Sequence, residues 1–321
     1  MKKIVDDPRL IFKCCSLYYQ DNKNQQEICN DLGISRPTIS RMIKLGREQG
    51  IVRIEVNDPS EATYGSLERQ LEKKFNLKEV IIVRSSPLEK GTLHIRSSLG
   101  EGTLDFLSRV LEDDDYVGVT MGMTLQNIVR AQHSREEDVH CTFVPIIGGV
   151  GESRLDLHSN YLVRAFAKIF GGNCIQFFSP AVFSDKNVLD GFLKEKSIRK
   201  IFDVYHKLNM VLMAIGTSNI KHSTLWESGY IDSEVLDDFV KNDAVGDVAL
   251  RFFDKKGNMD KFKEFNERVA GISIEEMKKI SRRVGIASGN HKVDAVQGAI
   301  AGEYINILIT DFDCAEGLLE I

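Results

Sequence analysis

The chain reads as an α/β protein in two parts: a short helix-turn-helix unit, then a larger doubly wound, largely parallel sheet. Three observations predict this. Residues 24–46 form two short amphipathic helices about a glycine turn, and from residue 78 onward β-rich runs alternate with helical ones. At 321 residues the chain also exceeds what one hydrophobic core usually organises, so two folding units are expected.

The first helix is expected over residues 8–20, with Leu10, Cys14, Leu17 and Tyr18 as its inner stripe. In the next, Ile28 and Leu32 share a face beside the small Cys29. Gly33 is a C-terminal stop, and Ser35 offers a side-chain oxygen to cap a third helix. Pro37 falls in that helix's first turn, where no backbone partner is lost. Ile39 and Ile43 then point inward, while Arg41 and Lys44 point away with Thr38 and Ser40 on the flanks. An outer face of hydroxyls and cations braced across a glycine turn is the geometry of helix-turn-helix DNA binding. Arg36, Thr38 and Arg41 are placed to read bases, and Ser35, Ser40 and Lys44 to hold phosphates. The plain alternative is a helical hairpin with a charged surface.

Charge supports the DNA reading once it is divided. The whole chain carries −5, but residues 1–57 hold ten Lys/Arg against seven Asp/Glu, leaving +3 there and −8 elsewhere. A basic face on an acidic body suits site-specific binding with little non-specific adhesion. No apolar run reaches the ~18 residues a membrane span needs, and the N-terminus has no signal-peptide core. Six cysteines lie scattered without a CxxC pair, which suits reduced, buried thiols in the cytoplasm.

Residues 51–56 alternate with period two as a short wing-like strand, and Asn57-Asp58-Pro59 then breaks the chain. Tyr64, Leu67, Leu71 and Phe75 give the following segment one apolar face. That linker helix either pairs with its copy in a second subunit or packs on its own domain. The boundaries expected are 1–57 for DNA binding, 58–76 for the linker helix, and 77–321 for effector binding and oligomerisation. Strands are expected at 80–83, 116–120, 142–147, 174–178, 210–215, 248–252, 284–287 and 305–310. Helices are expected near 94–111, 124–133, 158–170, 188–207, 232–240, 273–282, 291–301 and 314–319.

In such sheets ligands bind where strand C-termini meet helix N-termini, because free N–H groups and helix dipoles converge there. Four junctions carry small or polar residues: Thr120, Gly122 and Thr124; Gly148-Gly149; Gly216-Thr217-Ser218; and Ser288-Gly289-Asn290 leading to Lys292. Each alone is an ordinary turn. Four on one sheet edge, with a lysine, favour a phosphate or hydroxyl-rich ligand. Asp247, beside Gly246, is either an acceptor for sugar hydroxyls or a solvated loop residue. Trp226 either lines the pocket rim or packs. No nucleophile–base pair, cofactor fingerprint or metal-ligand spacing is present, so no catalytic residue, cofactor or metal is expected.

The ordered set of segments RLIFKCCSLYYQDNKNQQEICNDLGISRPTISRMIKLGREQGIV, VGVTMGMTL, VPIIGG, MAIGT, GDVALRFFD and SGNHKVDAVQGAIAGEYINILITD covers nearly the whole chain. It resembles the SorC family of bacterial transcriptional regulators, and VPIIGG with GREQGIV is most similar to the branch controlling L-sorbose use. The resemblance implies a ligand domain similar to phosphosugar isomerases and glucosamine-phosphate deaminases, used for sensing. It also implies effector contacts from the Gly122–Thr124 loop, Asp247 and Lys292, and dimers or tetramers on a pseudo-palindromic operator. One departure is that Met121 stands where many relatives have tryptophan. The expectation is therefore a cytoplasmic regulator of a carbohydrate operon, answering a sugar or sugar phosphate such as L-sorbose or its phosphate. The competing classes are a phosphosugar isomerase or deaminase fused to a DNA-binding unit, and an architectural DNA-binding protein without a ligand.

Overall fold

The computed structural model describes residues 7–53, 64–84, 92–131, 138–149, 154–227 and 229–321. The chain divides into two compact units, Met1–Ala62 and Thr63–Ile321. In the first, α1 (Pro8–Tyr19), α2 (Gln25–Leu32) and α3 (Arg36–Glu48) enclose Ile11, Cys14, Ile28, Ile39 and Met42. The inward residues of α1 are Ile11, Cys14 and Cys15, with Leu10, Leu17 and Tyr18 only half-buried, so its stripe is rotated from the expected one. Asn24 and Glu27 form a reciprocal capping box at the start of α2, and Gly33 ends it in the left-handed conformation (φ 64°).

Ser35 occupies the N-cap position of α3 but makes no bond to a backbone N–H. Its hydroxyl meets that of Thr38 at 2.9 Å instead, which corrects the expected cap. The predicted wing is not seen in residues 51–53, which form a bend; residues 54–56 and the break at 57–59 lie outside the described residues. The close approach of helices is at Gly46, where an added Cβ would stand 2.3 Å from Cys15 Sγ.

The second unit opens with α4 (Gly65–Phe75), β1 (Glu79–Val83), α5 (Thr92–Val110), β2 (Tyr116–Val119), α6 (Met123–Arg130) and β3 (Thr142–Pro145). It continues through α7 (Ser159–Phe170), β4 (Asn173–Cys174), α8 (Lys186–Phe192), α9 (Lys196–Tyr205), β5 (Met210–Ala214), α10 (Thr224–Glu227) and α11 (Ser233–Lys241). Then come β6 (Ala244–Val248), β7 (Arg251–Asp254), α12 (Lys263–Asn266), α13 (Ile274–Lys279), β8 (Arg282–Ile286), α14 (Val293–Ala301), β9 (Ile307–Asp311) and α15 (Phe312–Glu320). Seven strands form one sheet in the order β1-β9-β8-β5-β2-β3-β4, every pair parallel. Alternation along β5 divides the core: Met210 and Leu212 face one layer of helices, Val211 and Met213 the other.

Three expected elements differ. The run at 248–252 is not a single strand of the large sheet: β6 and β7 form a separate antiparallel hairpin turning at Ala249-Leu250. Such turns usually announce themselves with Asn or Gly, and this one does not. The strand at 174–178 stops at Cys174, because the Asn160 side chain bonds both the N–H and the carbonyl of Phe177. The helix at 188–207 is broken into α8 and α9. Residues 132 and 133 of the helix expected at 124–133 lie outside the described residues.

The linker helix α4 packs on this unit. Leu71 is fully buried, and Tyr64, Leu67 and Phe75 pack against the same core. Its carboxylates finish the sheet: Glu72 accepts the N–H of Val80 and Glu68 that of Ile82, at 3.0 and 2.9 Å. An exposed edge strand is a template for unwanted pairing, and these two side chains occupy its outward donors.

Gly46→Ala should destabilise the first unit by about 1–3 kcal/mol through overpacking. Adding Cys15→Ala removes the opposing sulfur and should recover most of the loss in thermal denaturation. An unchanged melt in the single variant would refute the tight α1–α3 contact.

Candidate functional site

After β2 the chain runs to β3 and β4 on one side, while β5 and its successors β8 and β9 lie on the other. The connections thus part between β2 and β5, which is where open α/β sheets leave a crevice beyond their strand ends. That crevice is lined by Thr120–Thr124, Ile215–Thr217, Asp247, Ala249, Leu250 and Lys292, with Ser223–Leu225 beside them. Its free volume is about 40 Å³. That is room for a few waters and not for a sugar ring.

Backbone geometry explains the residue types. Gly122 at the start of α6 has φ 124° and ψ 169°, a conformation closed to residues with a Cβ. Its N–H is bonded to Leu157 O at 3.0 Å. Thr120 is buried, and its hydroxyl accepts the Ala214 N–H at 3.3 Å, tying β2 to β5. Gly216 donates to Asp247 O at 2.9 Å. A Cβ there would fall 1.7 Å from Asp247 Oδ1, so only glycine lets the carboxylate lie across this backbone. Lys292 follows a turn at Gly289 (φ 89°) whose N–H is held by both carboxylate oxygens of Asp311 at 2.9 Å. Its ammonium donates to Ile215 O at 2.9 Å.

Asp247, which is buried, and Lys292, which is half-buried, are thus two opposite charges in one crevice. Burial pushes the Asp247 carboxyl up to about 6, against the pull of Lys292 and a bond from the Leu250 N–H. Burial lowers Lys292 to about 8, against the pull of Asp247. The Asp247 Oδ1 atom is buried and has no hydrogen-bond partner. A buried acceptor of this kind calls for a donor from outside the fold's own hydrogen-bond network, a water or a ligand group. His291, next to Lys292, stacks on His222 at 4.3 Å. Partial burial, Lys292 and His222 lower it to about 4.

The structure brings Thr120, Gly122, Thr124, Gly216, Asp247 and Lys292 together and leaves Gly148 and Gly149 aside. Gly148 donates to Ala270 O at 2.8 Å and packs against the Pro180 carbonyl. Gly149 donates to Ser179 O at 2.9 Å, accepts from His158 at 2.6 Å, and borders a different groove with Tyr161 and Phe178. The Ala249-Leu250 turn and the Ser223–Leu225 roof, absent from the sequence reading, complete the lining. Trp226 is exposed. Among the described residues no three His, Cys, Asp or Glu side chains gather as a metal site requires, and no helix is long and apolar enough to cross a membrane. On the first unit, Ser35, Arg36, Ser40, Arg41 and Lys44 are exposed along α3 and Thr38 is half-buried. Lys44 lies 3.7 Å from Glu48.

A family model for sugar-binding domains matches residues 62–320. The chain is 34% identical to the sorbitol operon regulator of Klebsiella pneumoniae over 98% of this chain and 99% of that one. It is 33% identical to the deoxyribonucleoside regulator of Bacillus subtilis (strain 168), covering 97% of each. The crystal structure of the full-length sorbitol operon regulator SorC from Klebsiella pneumoniae superposes with a TM-score of 0.74 at 32% identity, covering 98% and 99%. The chain belongs to the SorC family of sugar-binding transcriptional regulators. A sugar-binding domain and the likeness to operon regulators thus meet in one polypeptide.

The raised carboxyl of Asp247 has a measurable sign. A folded-state value above the unfolded 3.8 contributes stability that is complete below pH ~4 and lost as pH rises through about 6. Asp247→Asn should therefore raise the stability of the ligand-free protein at pH 7.5, by at most about 3 kcal/mol. The gain should vanish near pH 4. Thermal melts of both proteins from pH 4 to 8 check this, and a gain independent of pH would show that Asp247 ionises without strain.

Proposed function

We propose that this protein is a cytoplasmic repressor or activator of a carbohydrate operon that binds a pseudo-palindromic operator as a dimer or tetramer. Its effector is a sugar or sugar phosphate seated in the β2–β5 crevice. The observation that carries this reading is a buried Asp247, its Oδ1 without a partner, in the same crevice as Lys292 at the sheet's switch point. Asp247 accepts the hydroxyls of the ligand. Lys292 and the first N–H groups of α6 hold its anionic end, where the helix dipole already favours negative charge. Thr120, Gly122, Thr124 and Gly216 shape the walls. Relatives named for sorbitol and deoxyribonucleosides support a polyhydroxylated ligand.

The site is a sensor and not a catalyst. His291 faces another imidazole, His222. Lys292 is bonded to a backbone carbonyl. Neither is arranged as an acid–base pair around a reacting carbon. Incubation with hexose and amino-sugar phosphates should give no turnover; product formation would restore the isomerase or deaminase reading.

Lys292→Ala should weaken effector binding by about 1.5–3 kcal/mol, the range of a charge-assisted hydrogen bond. Operator affinity without effector should stay as in the wild type. Calorimetry across a panel of sugars and sugar phosphates, followed by operator binding with the best ligand, tests both halves. Wild-type affinity in the variant would place the anion site elsewhere.

On the DNA side, Arg36, Thr38 and Arg41 read base edges, with Ser35, Ser40 and Lys44 on phosphates. Arg41→Ala should cost about 1–3 kcal/mol on the preferred operator and relax preference at one position per half-site. Lys44→Ala should weaken binding to every sequence and reduce the salt slope by about one ion. Intact sequence preference in Arg41→Ala would sink this docking.

A further inference from the structure

The β6–β7 hairpin turns through Ala249 (φ 48°) and Leu250 (φ 64°), two consecutive left-handed residues. Turns of this kind normally take Asn-Gly, because a Cβ is crowded there. Here neither residue is Gly, Asn or Asp, and both are buried. Strained backbone of this sort persists only where its surroundings over-determine it, and it concentrates at ligand clamps. Both turn residues line the crevice, and Leu250 gives its N–H to the Asp247 carboxylate.

What holds the turn is the residue that follows it. Arg251 is 6% exposed, and its guanidinium donates from Nη1 to Ala249 O at 3.2 Å and from Nη2 to Val269 O at 3.4 Å. Among the described residues it forms no ion pair; both bonds go to neutral carbonyls. A buried charge with neutral partners is costly, and an apolar residue of similar volume is commonly as stable or more so. The guanidinium supplies what an apolar residue would not: a fixed bond from the strand to the turn's first carbonyl. The next residue is fixed as well, since Asn266 bonds both the N–H and the carbonyl of Phe252, at 2.9 and 3.0 Å.

We propose that Arg251 is a positioning residue: by holding the Ala249 carbonyl it keeps the left-handed turn in place and so fixes the Asp247 carboxylate in the crevice. Its importance for effector binding rests on the reading of the crevice given above; its effect on Asp247 does not.

The test uses the full-length protein and needs no ligand for its main arm. The stability gain from Asp247→Asn between pH 4 and 8 is measured in the wild-type, Arg251→Met, Ala249→Gly and Arg251→Met/Ala249→Gly backgrounds. With Met at 251 the carboxylate relaxes toward solvent and the pH-dependent gain disappears. Glycine at 249 holds the turn without a brace, so the double background should regain it. A gain that survives Arg251→Met unchanged, or that Ala249→Gly fails to restore, overturns the proposal. A purely structural role would lower every melting temperature alike and leave the gain intact. If Arg251→Met does not fold, Arg251→Lys, which keeps one donor, should show a partial loss; a full gain there overturns the proposal equally. A second arm titrates sorbitol 6-phosphate: affinity should fall about tenfold or more in Arg251→Met and recover with Ala249→Gly. Lys292→Met is run beside it. Unaltered sorbitol 6-phosphate binding by Lys292→Met would refute the site reading while leaving the turn result standing.

Discussion

The crevice depends on a contact that tolerates no side chain: the Asp247 carboxylate lying against Gly216. The hairpin carrying Asp247 is not part of the large sheet and pairs with the backbone just beyond β5. Ile215 bridges to Val248, Gly216 donates to Asp247 O, and Ser218 donates to Val245 O. That short stretch of pairing delivers an acid to the crevice between β2 and β5. A methyl group at position 216 would occupy the place of Oδ1, so the Asp247 side chain would have to rotate away from its position in the crevice. Gly246 repeats the requirement from the other side, where a Cβ would stand 2.6 Å from Ala295 Cβ on α14, the helix that follows Lys292. Acid and base are thus brought together by two glycines and one short stretch of backbone pairing.

The arrangement is unfavourable to the ligand-free fold. Burial opposes the charged form of both Asp247 and Lys292, and their mutual attraction offsets only part of that opposition. The two effects run in opposite directions with pH. Stability from Asp247 is lost as pH rises through about 6, and stability from Lys292 is lost as pH falls through about 8. Between these values both groups are charged and both weaken the fold. Binding sites commonly hold such uncompensated groups, and a ligand that pairs them recovers stability as affinity. Lys292 already has a carbonyl partner, whereas Asp247 Oδ1 has none. The larger recovery therefore belongs to whatever donates to the acid.

Much of this was legible in the sequence because it rests on periodicity and on chain punctuation. The parallel sheet followed from alternating runs such as 210–215 and 284–287, and the DNA-binding helices from the spacing of Ile28, Gly33, Ile39 and Ile43. The sequence places Gly122, Gly216 and Lys292 at junctions on one sheet edge and Asp247 beside Gly246, and the fold brings all four into one crevice. Gly148 and Gly149 had the same small-residue signature, but their N–H groups are consumed by Ala270 and Ser179. Sequence pattern carries no information about such long-range backbone bonds. The hairpin was missed for the opposite reason. Its turn uses Ala-Leu where the local rule demands Asn-Gly, because a distant set of contacts overrides local preference.

The free volume of about 40 Å³ adds a constraint on how any sugar enters. The roof beside the crevice includes Ser223–Leu225, and its flanks are held from two directions. His222 stacks on His291, and the Tyr230 hydroxyl lies 3.2 Å from His158 Nε2. His158 is in turn bonded to Gly149 O, so the roof is fastened to the loop after β3. If the effector takes this crevice as proposed, a sugar ring needs some of these contacts to open, and its affinity falls by the free energy of that opening. An effector shifts such an equilibrium only by its difference in affinity for the closed and open forms. Gly149, which does not reach the crevice, touches this side of the fold through His158, whose ring meets the Tyr230 hydroxyl.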